Sequence, residues 1–405
     1  MAVHVINEAR RCLNCKVPQC RSGCPINTPI PQMIQAFLGG HIDDAGLILF
    51  ENNPLSIICS LVCDHEKQCE GHCVLGRKGS PVAISSIEHY ISDNYLDKIK
   101  LKTESRKNKK AAIIGSGPAG ITISILLAQR GYDITLFDSR DKIGGVLRYG
   151  IPEFRLPKRI LSRYKNELLS LGVKIRPNTT IGGALSIDDL FRDGYKSVFI
   201  GTGVWRPNVL NIPGESLGNV HFAIDYLCNP DSYDLGQNVA VIGAGNTAMD
   251  VARTVLRKGA KQVTVYARSR TITASAAEFE YAKMDGVRFE CGKVASRITD
   301  EGPYFKNVIF HEDESIEISE GSERLYPADS TIISIGQGPK NKIVSTTWGI
   351  EVNEKGLLVT DRFGTTTRTG IYACGDVVNG AKTVVEAVKY SKSVADAMDD
   401  YMKKL

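Results

Sequence analysis

Hydrophobic positions along this chain change period twice. Over residues 31–50 apolar side chains recur at helical spacing, with Met33, Ile34, Phe37 and Leu38 on one face and a break expected at Gly39-Gly40. A second helix is expected over residues 82–96. Residues 98–110 are polar, basic and aperiodic, and read as a solvated linker. Beyond them the apolar positions form short continuous runs. Ala111-Ala-Ile-Ile reads as a buried strand running into Gly115-Ser-Gly117-Pro118-Ala119-Gly120 and a helix, and the strand Asp133-Ile-Thr-Leu-Phe137 ends at Asp138. Strand, turn and helix recur at Asn238-Val-Ala-Val-Ile-Gly243-Ala-Gly245-Asn246-Thr247-Ala248, followed by the strand Gln262-Val-Thr-Val-Tyr266. Such alternation predicts an α/β fold with parallel sheets.

The glycine turns carry the first chemistry. Gly115 permits the tight turn, Gly117 lets backbone approach a pyrophosphate, and Gly120 lets the helix pack close to its strand. The helix N-terminus, with Pro118 and Ala119 at the cofactor, then faces the phosphates with free N–H groups from Ala119 onward, and Asp138 is placed to hold a ribose 2′-hydroxyl. Two Rossmann-like dinucleotide-binding domains are expected, the second inserted in the first. The expected boundaries are 111–235 and 340–405 for the first, 236–339 for the second, and 1–97 for a small α-helical domain ahead of the linker.

A length of 405 residues suits two or three domains. A net charge of +5 is too mild to argue for nucleic acid. The N-terminal residues lack the apolar core of a signal peptide, and no run is long enough to span a bilayer, so a cytoplasmic protein with no membrane contact is expected. The cysteines change the picture more. Eight of the 11 lie between Cys12 and Cys73, spaced Cys12-x2-Cys15-x4-Cys20-x3-Cys24-Pro and Cys59-x3-Cys63-x5-Cys69-x3-Cys73. In a reducing compartment such a cluster binds metal or does redox work. Two zinc sites would ordinarily use paired Cys-x2-Cys knuckles, and only one such pair is present. Two iron–sulfur clusters also take four ligands each, and Cys24-Pro is a ferredoxin-like mark, so iron–sulfur is preferred to zinc.

This double cysteine pattern resembles the N-terminal cluster domain of the glutamate synthase small subunit. The same domain occurs in dihydropyrimidine dehydrogenase and in the large subunit of the bifurcating NADH-dependent ferredoxin:NADP oxidoreductase. The resemblance implies two interleaved [4Fe–4S] clusters. Cys12, Cys15, Cys20 and Cys73 would hold one; Cys24, Cys63 and Cys69 would hold the other, completed by Glu88 from the following helix, with Cys59 a near neighbour. Spacing alone reads Glu88 as a surface helical residue, so whether Glu88 or Cys59 completes that cluster stays open.

The stretch Ile143-Gly144-Gly145-Val146-Leu147-Arg148-Tyr-Gly-Ile-Pro-Glu-Phe-Arg155-Leu-Pro-Lys158 resembles the flavin-wrapping segment of the same family. It implies that the Gly145–Arg148 backbone lies against FAD, and that Arg155 sits near the isoalloxazine and the closest cluster as the catalytic residue, stabilising reduced flavin. Ser197-Val-Phe-Ile-Gly-Thr-Gly203 reads as a strand ending in a cofactor-side turn. Gly370-Ile-Tyr-Ala-Cys-Gly375-Asp376 resembles the second flavin motif, whose aspartate hydrogen-bonds the ribityl chain. Thr383 and Val384 would open a helix aimed at the flavin N1–O2 edge, while Cys374 reads as core. Thr331-Ile-Ile-Ser-Ile-Gly336-Gln337 resembles the strand that returns the chain to the flavin domain.

At the second fingerprint Ala248 takes the third glycine's place, as nicotinamide sites tolerate. No acid occupies the ribose position, and Arg268 or Arg270 could accept a 2′-phosphate, which leans towards NADPH. NADPH-type members often show two adjacent arginines where this chain has Ala267 and Arg268, so NADH stays open.

The implied function is hydride transfer from NAD(P)H to FAD, then passage of single electrons through two clusters to a partner catalytic subunit, with either direction of flow allowed. No Cys-x2-Cys lies in either nucleotide domain, which argues against a dithiol reductase, and there is no length for a glutaminase or an FMN barrel. The layout resembles the electron-input subunit of the NAD-dependent dihydropyrimidine dehydrogenase type. A glutamate synthase small subunit and the input subunit of a bifurcating enzyme or hydrogenase are the alternatives, and a non-catalytic scaffold is the alternative class.

Overall fold

The computed structural model describes residues 2–99, 101, 103–312 and 315–405. The N-terminal region is helical, with Ala2–Arg10, Ile30–Leu38, Ile42–Asn52, Ser56–Val62 and Ile84–Tyr95 as its principal helices. The expected break falls at Gly39 and Gly40, and Gly40 takes φ 83°, a left-handed conformation that favours glycine. Met33, Ile34, Leu49, Ile87 and Ile91 meet in one core. Cysteines finish its edge: Cys69 is buried in it, and Cys12, Cys20, Cys24 and Cys73 pack against it.

The linker is not a free connector. Glu104 N donates to Gln129 O, Lys107 N to Gly131 O and Lys109 Nζ to Met402 O, so backbone and side chains stitch the segment to the neighbouring helices. Its Lys100 and Lys102 lie outside the described residues.

Two parallel five-stranded sheets follow, which share the order of four strands and differ at one edge, where Ile371–Ala373 is the last strand of its sheet along the chain and Val220–Phe222 the first of its own. The first runs Ile371–Ala373, Tyr195–Ile200, Lys110–Ile114, Asp133–Phe137, Lys174–Arg176. The second runs Val220–Phe222, Ser330–Ile333, Asn238–Ile242, Gln262–Ala267, Arg288–Cys291. Register is also shared: Ile114 pairs with Phe137 as Ile242 pairs with Tyr266. An antiparallel sheet of Lys293–Thr299, Gly302–Phe310 and Ile316–Leu325 completes the second nucleotide fold.

The chain divides into two compact units, Met1–Leu147 with Glu153–Val204 and Pro339–Leu405, and Arg148–Pro152 with Trp205–Gly338. Residues 205–235, expected with the first nucleotide fold, fall in the second unit because Val220–Phe222 pairs in parallel with Ser330–Ile333. Among the described residues no single helix is long and apolar enough to cross a membrane; Ile42–Asn52 and Ser56–Val62 pass that test only jointly, across an 82° bend.

Candidate cofactor sites

In the first fingerprint each glycine meets a different neighbourhood. Gly115 takes φ 99°, and a Cβ there would lie 2.4 Å from Gly201 O. A Cβ on Gly120 would lie 1.8 Å from Gly115 O, which is the close packing of helix on strand. A Cβ on Gly117 would meet nothing within 4 Å, so the backbone there borders open space at the N-terminus of the helix Pro118–Gln129. Asp138 is buried, and part of its hydrogen-bonding capacity is already used. Its Oδ2 accepts from Ser116 N at 2.7 Å and from Ser116 Oγ, and its Oδ1 accepts from Arg140 N at 2.8 Å. The remaining lone pairs are what a ribose could reach. Ser116 was not legible as its partner, because the x of a glycine fingerprint carries no type requirement.

The Gly-Gly turn lies directly on this loop. Gly144 N donates to Ser116 O at 2.9 Å, and a Cβ on Gly145 would sit 2.8 Å from Gly117 Cα. Leu147 is fully buried, so its side chain anchors the short helix Val146–Tyr149 while its carbonyl accepts from Lys158 Nζ at 2.8 Å. Val146 and Arg148 are half-buried, and Arg148 groups with the second unit. Arg155 is half-buried just before the helix Lys158–Ser170. Gly203 takes φ 69° beyond the strand Tyr195–Ile200.

The second flavin motif meets the first at Gly375, where a Cβ would be 3.5 Å from the Ala119 methyl. Burial pushes the Asp376 carboxyl up to about 6, against the effect of the Lys382 N–H, which its Oδ1 accepts at 3.2 Å. A sugar hydroxyl would satisfy such a carboxyl. Thr383 caps the helix Val384–Lys403 in a reciprocal box with Glu386. The expectation for Thr383 therefore changes: its N–H and hydroxyl both donate to Glu386 Oε2. The N–H groups of Val384 and Val385 remain to face a ligand, since that of Glu386 donates to Thr383 Oγ1. Cys374 is core, its Sγ 3.4 Å from Ser391 Oγ.

In the second unit Gly243 takes φ 142°, with a Cβ position 2.1 Å from Ser334 O, while a Cβ on Gly245 would meet nothing within 4 Å. Ala248 is fully buried, Thr247 half-buried, and the Asn246 amide oxygen is engaged by Ser275 N at 2.8 Å. Shared register makes Ala267 the structural equivalent of Asp138, so the ribose position holds a buried methyl. Arg268, the next residue, is exposed; Arg270 is held at Phe310, donating to its carbonyl at 3.3 Å and lying over its ring. Gly336 takes φ 91° beside Asn208.

The cysteines fall into two groups. Cys12, Cys15, Cys20 and Cys73 line one pocket with Ile30, Ile34 and Val82. Asn14, at φ 46°, turns the first loop so that its N–H meets the Cys12 sulfur. Burial pushes the Cys20 thiol up to about 11, against the Arg21 N–H, and Cys73, Cys12 and Cys15 push it further. In the second group a hydrogen bond with Cys59, then burial, then Cys59, Glu88 and Cys69 hold the Cys63 thiol well above its ordinary value. Burial, Glu88, Glu70 and Cys24 do the same to Cys69. Burial and then Glu70 push the Glu88 carboxyl up to about 8. Negative charge is thus unfavourable in both groups until a cation compensates it. Among the described residues no three His, Cys, Asp or Glu side chains converge on a single ion, but four cysteines line the first pocket, the donor type and number that a [4Fe–4S] cluster takes.

Comparison with known proteins shows the family. Residues 109–391 match the pyridine nucleotide-disulphide oxidoreductase family, and residues 2–99 match dihydropyrimidine dehydrogenase domain II, 4Fe-4S cluster. The glutamate synthase [NADPH] small chain of Halomonas elongata is 33% identical over 426 residues, covering 98% of this chain and 90% of that one. The NAD-dependent dihydropyrimidine dehydrogenase subunit PreT of Salmonella typhimurium is 30% identical over 404 residues, covering 98% and 94%. Among solved structures, T. acidophilum thioredoxin reductase superposes with a TM-score of 0.58 at 20% identity, covering 73% of this chain and 99% of that one, which shows a shared fold. The chain belongs to the pyridine nucleotide-disulphide oxidoreductase family, as an NAD(P)H oxidoreductase that uses FAD and 4Fe–4S chemistry.

Proposed function

We propose that this chain is the electron-input subunit of a larger cytoplasmic enzyme, with two [4Fe–4S] clusters and a partner subunit that carries the terminal substrate. Bound FAD supplies the exchange between hydride and single electrons, and bound clusters carry single electrons onward. The chain's own residues bind and orient. Gly117 and the helix N-terminus behind it cradle the pyrophosphate, Asp138 and Asp376 accept sugar and ribityl hydroxyls, and the first N–H groups of the helix Val384–Lys403 face the flavin edge. Arg155 supplies positive charge in the flavin-wrapping segment. Gly245 and Arg268 take the phosphates of the nicotinamide cofactor, and the exposed Arg268 favours NADPH. Catalysis is placement, with no nucleophile required.

The observation that most supports this reading is the gathering of two separate ligand groups into the same compact unit as the first fingerprint, since hydride chemistry alone needs no thiolates. Anaerobic protein loaded with FAD and iron should bleach with NADPH or NADH and reduce a viologen dye catalytically. Full loading without turnover would favour a scaffold. Relatives include a glutamate synthase small chain and a dihydropyrimidine dehydrogenase subunit. Of these the compact pyrimidine-reductase arrangement is our reading, tested by identifying the co-purifying chain.

A further inference from the structure

One sulfur of the second cysteine group, that of Cys24, differs from the others in what it touches. Cys12 and Cys20 receive backbone N–H groups from Asn14 and Arg21, as Cys69 does from Glu70. Cys24 instead has a side-chain hydroxyl beside it, with Thr28 Oγ1 3.2 Å from its Sγ. Thr28 is 3% exposed, so this contact lies away from water. Local backbone brings it there: Asn27 takes φ 54° and its N–H closes a turn onto Cys24 O, which folds Thr28 back over the cysteine. A threonine hydroxyl can donate or accept. A cluster-ligating cysteine is a thiolate with no proton to give, so toward it the hydroxyl can only donate, while one of its acceptor positions takes the Asn52 Nδ2 hydrogen at 3.2 Å. Asn52 is itself fixed by the flavin fold, because its carbonyl accepts from Lys392 Nζ, on the helix Val384–Lys403, at 2.9 Å.

We propose that Thr28, oriented by Asn52 and through it by Lys392, is a positioning residue that donates a hydrogen bond to the Cys24 sulfur and raises the reduction potential of the cluster held by Cys24, Cys63 and Cys69. The inference rests on the reading that those cysteines are cluster ligands. A reduced cluster carries one more negative charge, so a donor to its sulfur favours the reduced state, and in a dry site that preference is strong. The run Lys392, Asn52, Thr28, Cys24 also joins the flavin-fold helix to a cluster ligand by three hydrogen bonds.

The test is a redox titration of the anaerobic full-length protein, with clusters followed by low-temperature EPR and flavin by absorbance. Thr28→Val keeps the volume and removes the donor. It should lower the midpoint potential of one cluster and leave the other cluster and the flavin where they were. Thr28→Ser should restore the wild-type value, and Asn52→Leu, which frees the hydroxyl to rotate, should give a smaller fall at the same cluster. Iron and sulfide are measured alongside. Wild-type protein holding only one cluster overturns both the ligand reading and this proposal. Two clusters in every variant with unshifted potentials, or an equal shift at both clusters, overturns the proposal alone.

Discussion

At the scale of single residues, the fingerprint glycines separate folding from binding. Gly120 faces a carbonyl at 1.8 Å from where a Cβ would lie, whereas Gly117 borders open space with ordinary extended dihedrals of φ −71° and ψ −172°. Gly120→Ala should therefore cost about 1–3 kcal/mol or more of stability through overpacking. Gly117→Ala should leave stability within about 0.5 kcal/mol but weaken FAD binding, because its methyl projects into the phosphate space. Thermal unfolding of the flavin-free protein and an FAD titration separate the two. Glu88 gives a second contrast. It is buried and acts on both Cys63 and Cys69, while Cys59 is hydrogen-bonded to Cys63. Glu88→Ala should lose the iron of one cluster, and Cys59→Ala should keep both; the reverse result in an iron assay would make Cys59 the fourth ligand. Glycines and cysteines were readable because their chemistry is tied to residue type and spacing. Ser116 and Thr28 were not, because a hydroxyl is too common to signal anything until the fold places its partner.

At the scale of elements, the helix Lys158–Ser170 ties the cysteine-rich helices to the first nucleotide fold. Tyr164 is fully buried and its hydroxyl donates to Pro54 O at 2.6 Å, while Arg163 bonds Asp93 and Asp97. Tyr164→Phe leaves that carbonyl without its donor and should cost about 1–3 kcal/mol, read as a lower urea midpoint. The C-terminal helix is held at Asp399. Burial works against ionisation there, but bonds from Lys403 and Tyr132 and the charges of Lys107 and Arg130 outweigh it, and the carboxyl sits below its ordinary value. A depressed carboxyl contributes stability that is present above the unfolded-chain value of about 3.9 and lost as pH falls through the folded one. Asp399→Asn should thus be destabilised at pH 7, with the difference closing as the medium is acidified below about pH 4. Helix periodicity and the Gly39-Gly40 break were legible. The stitched linker was not, because its bonds run to Gln129, Gly131 and Met402, remote in sequence. The Thr383-x-x-Glu386 capping box is a sequence signal, yet the flavin reading of the same residues hid it.

At the scale of the whole molecule, the order shared by four strands of each parallel sheet was readable from two strand–glycine–helix runs, while the boundary at Trp205 depended on a three-residue strand too short to announce itself. The two units have separate cores, one around Met249, Val251 and Val265, the other including the helical cluster of Met33, Leu49 and Ile87 with its cysteines. A ligand that binds only the folded state stabilises the part that holds it. Iron–sulfur ligation should support the first unit, and a nicotinamide nucleotide the second, by about 2.7 kcal/mol at a hundredfold excess over Kd. Stripping iron with a chelator and reductant should therefore lower one calorimetric transition and leave the other, and NADPH should raise the one that iron does not move. Trp205 lies in the second unit, whereas Trp348, in the first, is already 89% exposed and changes little on unfolding. Tryptophan fluorescence should accordingly follow the nucleotide-sensitive transition. A fluorescence midpoint that tracks iron content instead of NADPH would mean that the two units unfold as one.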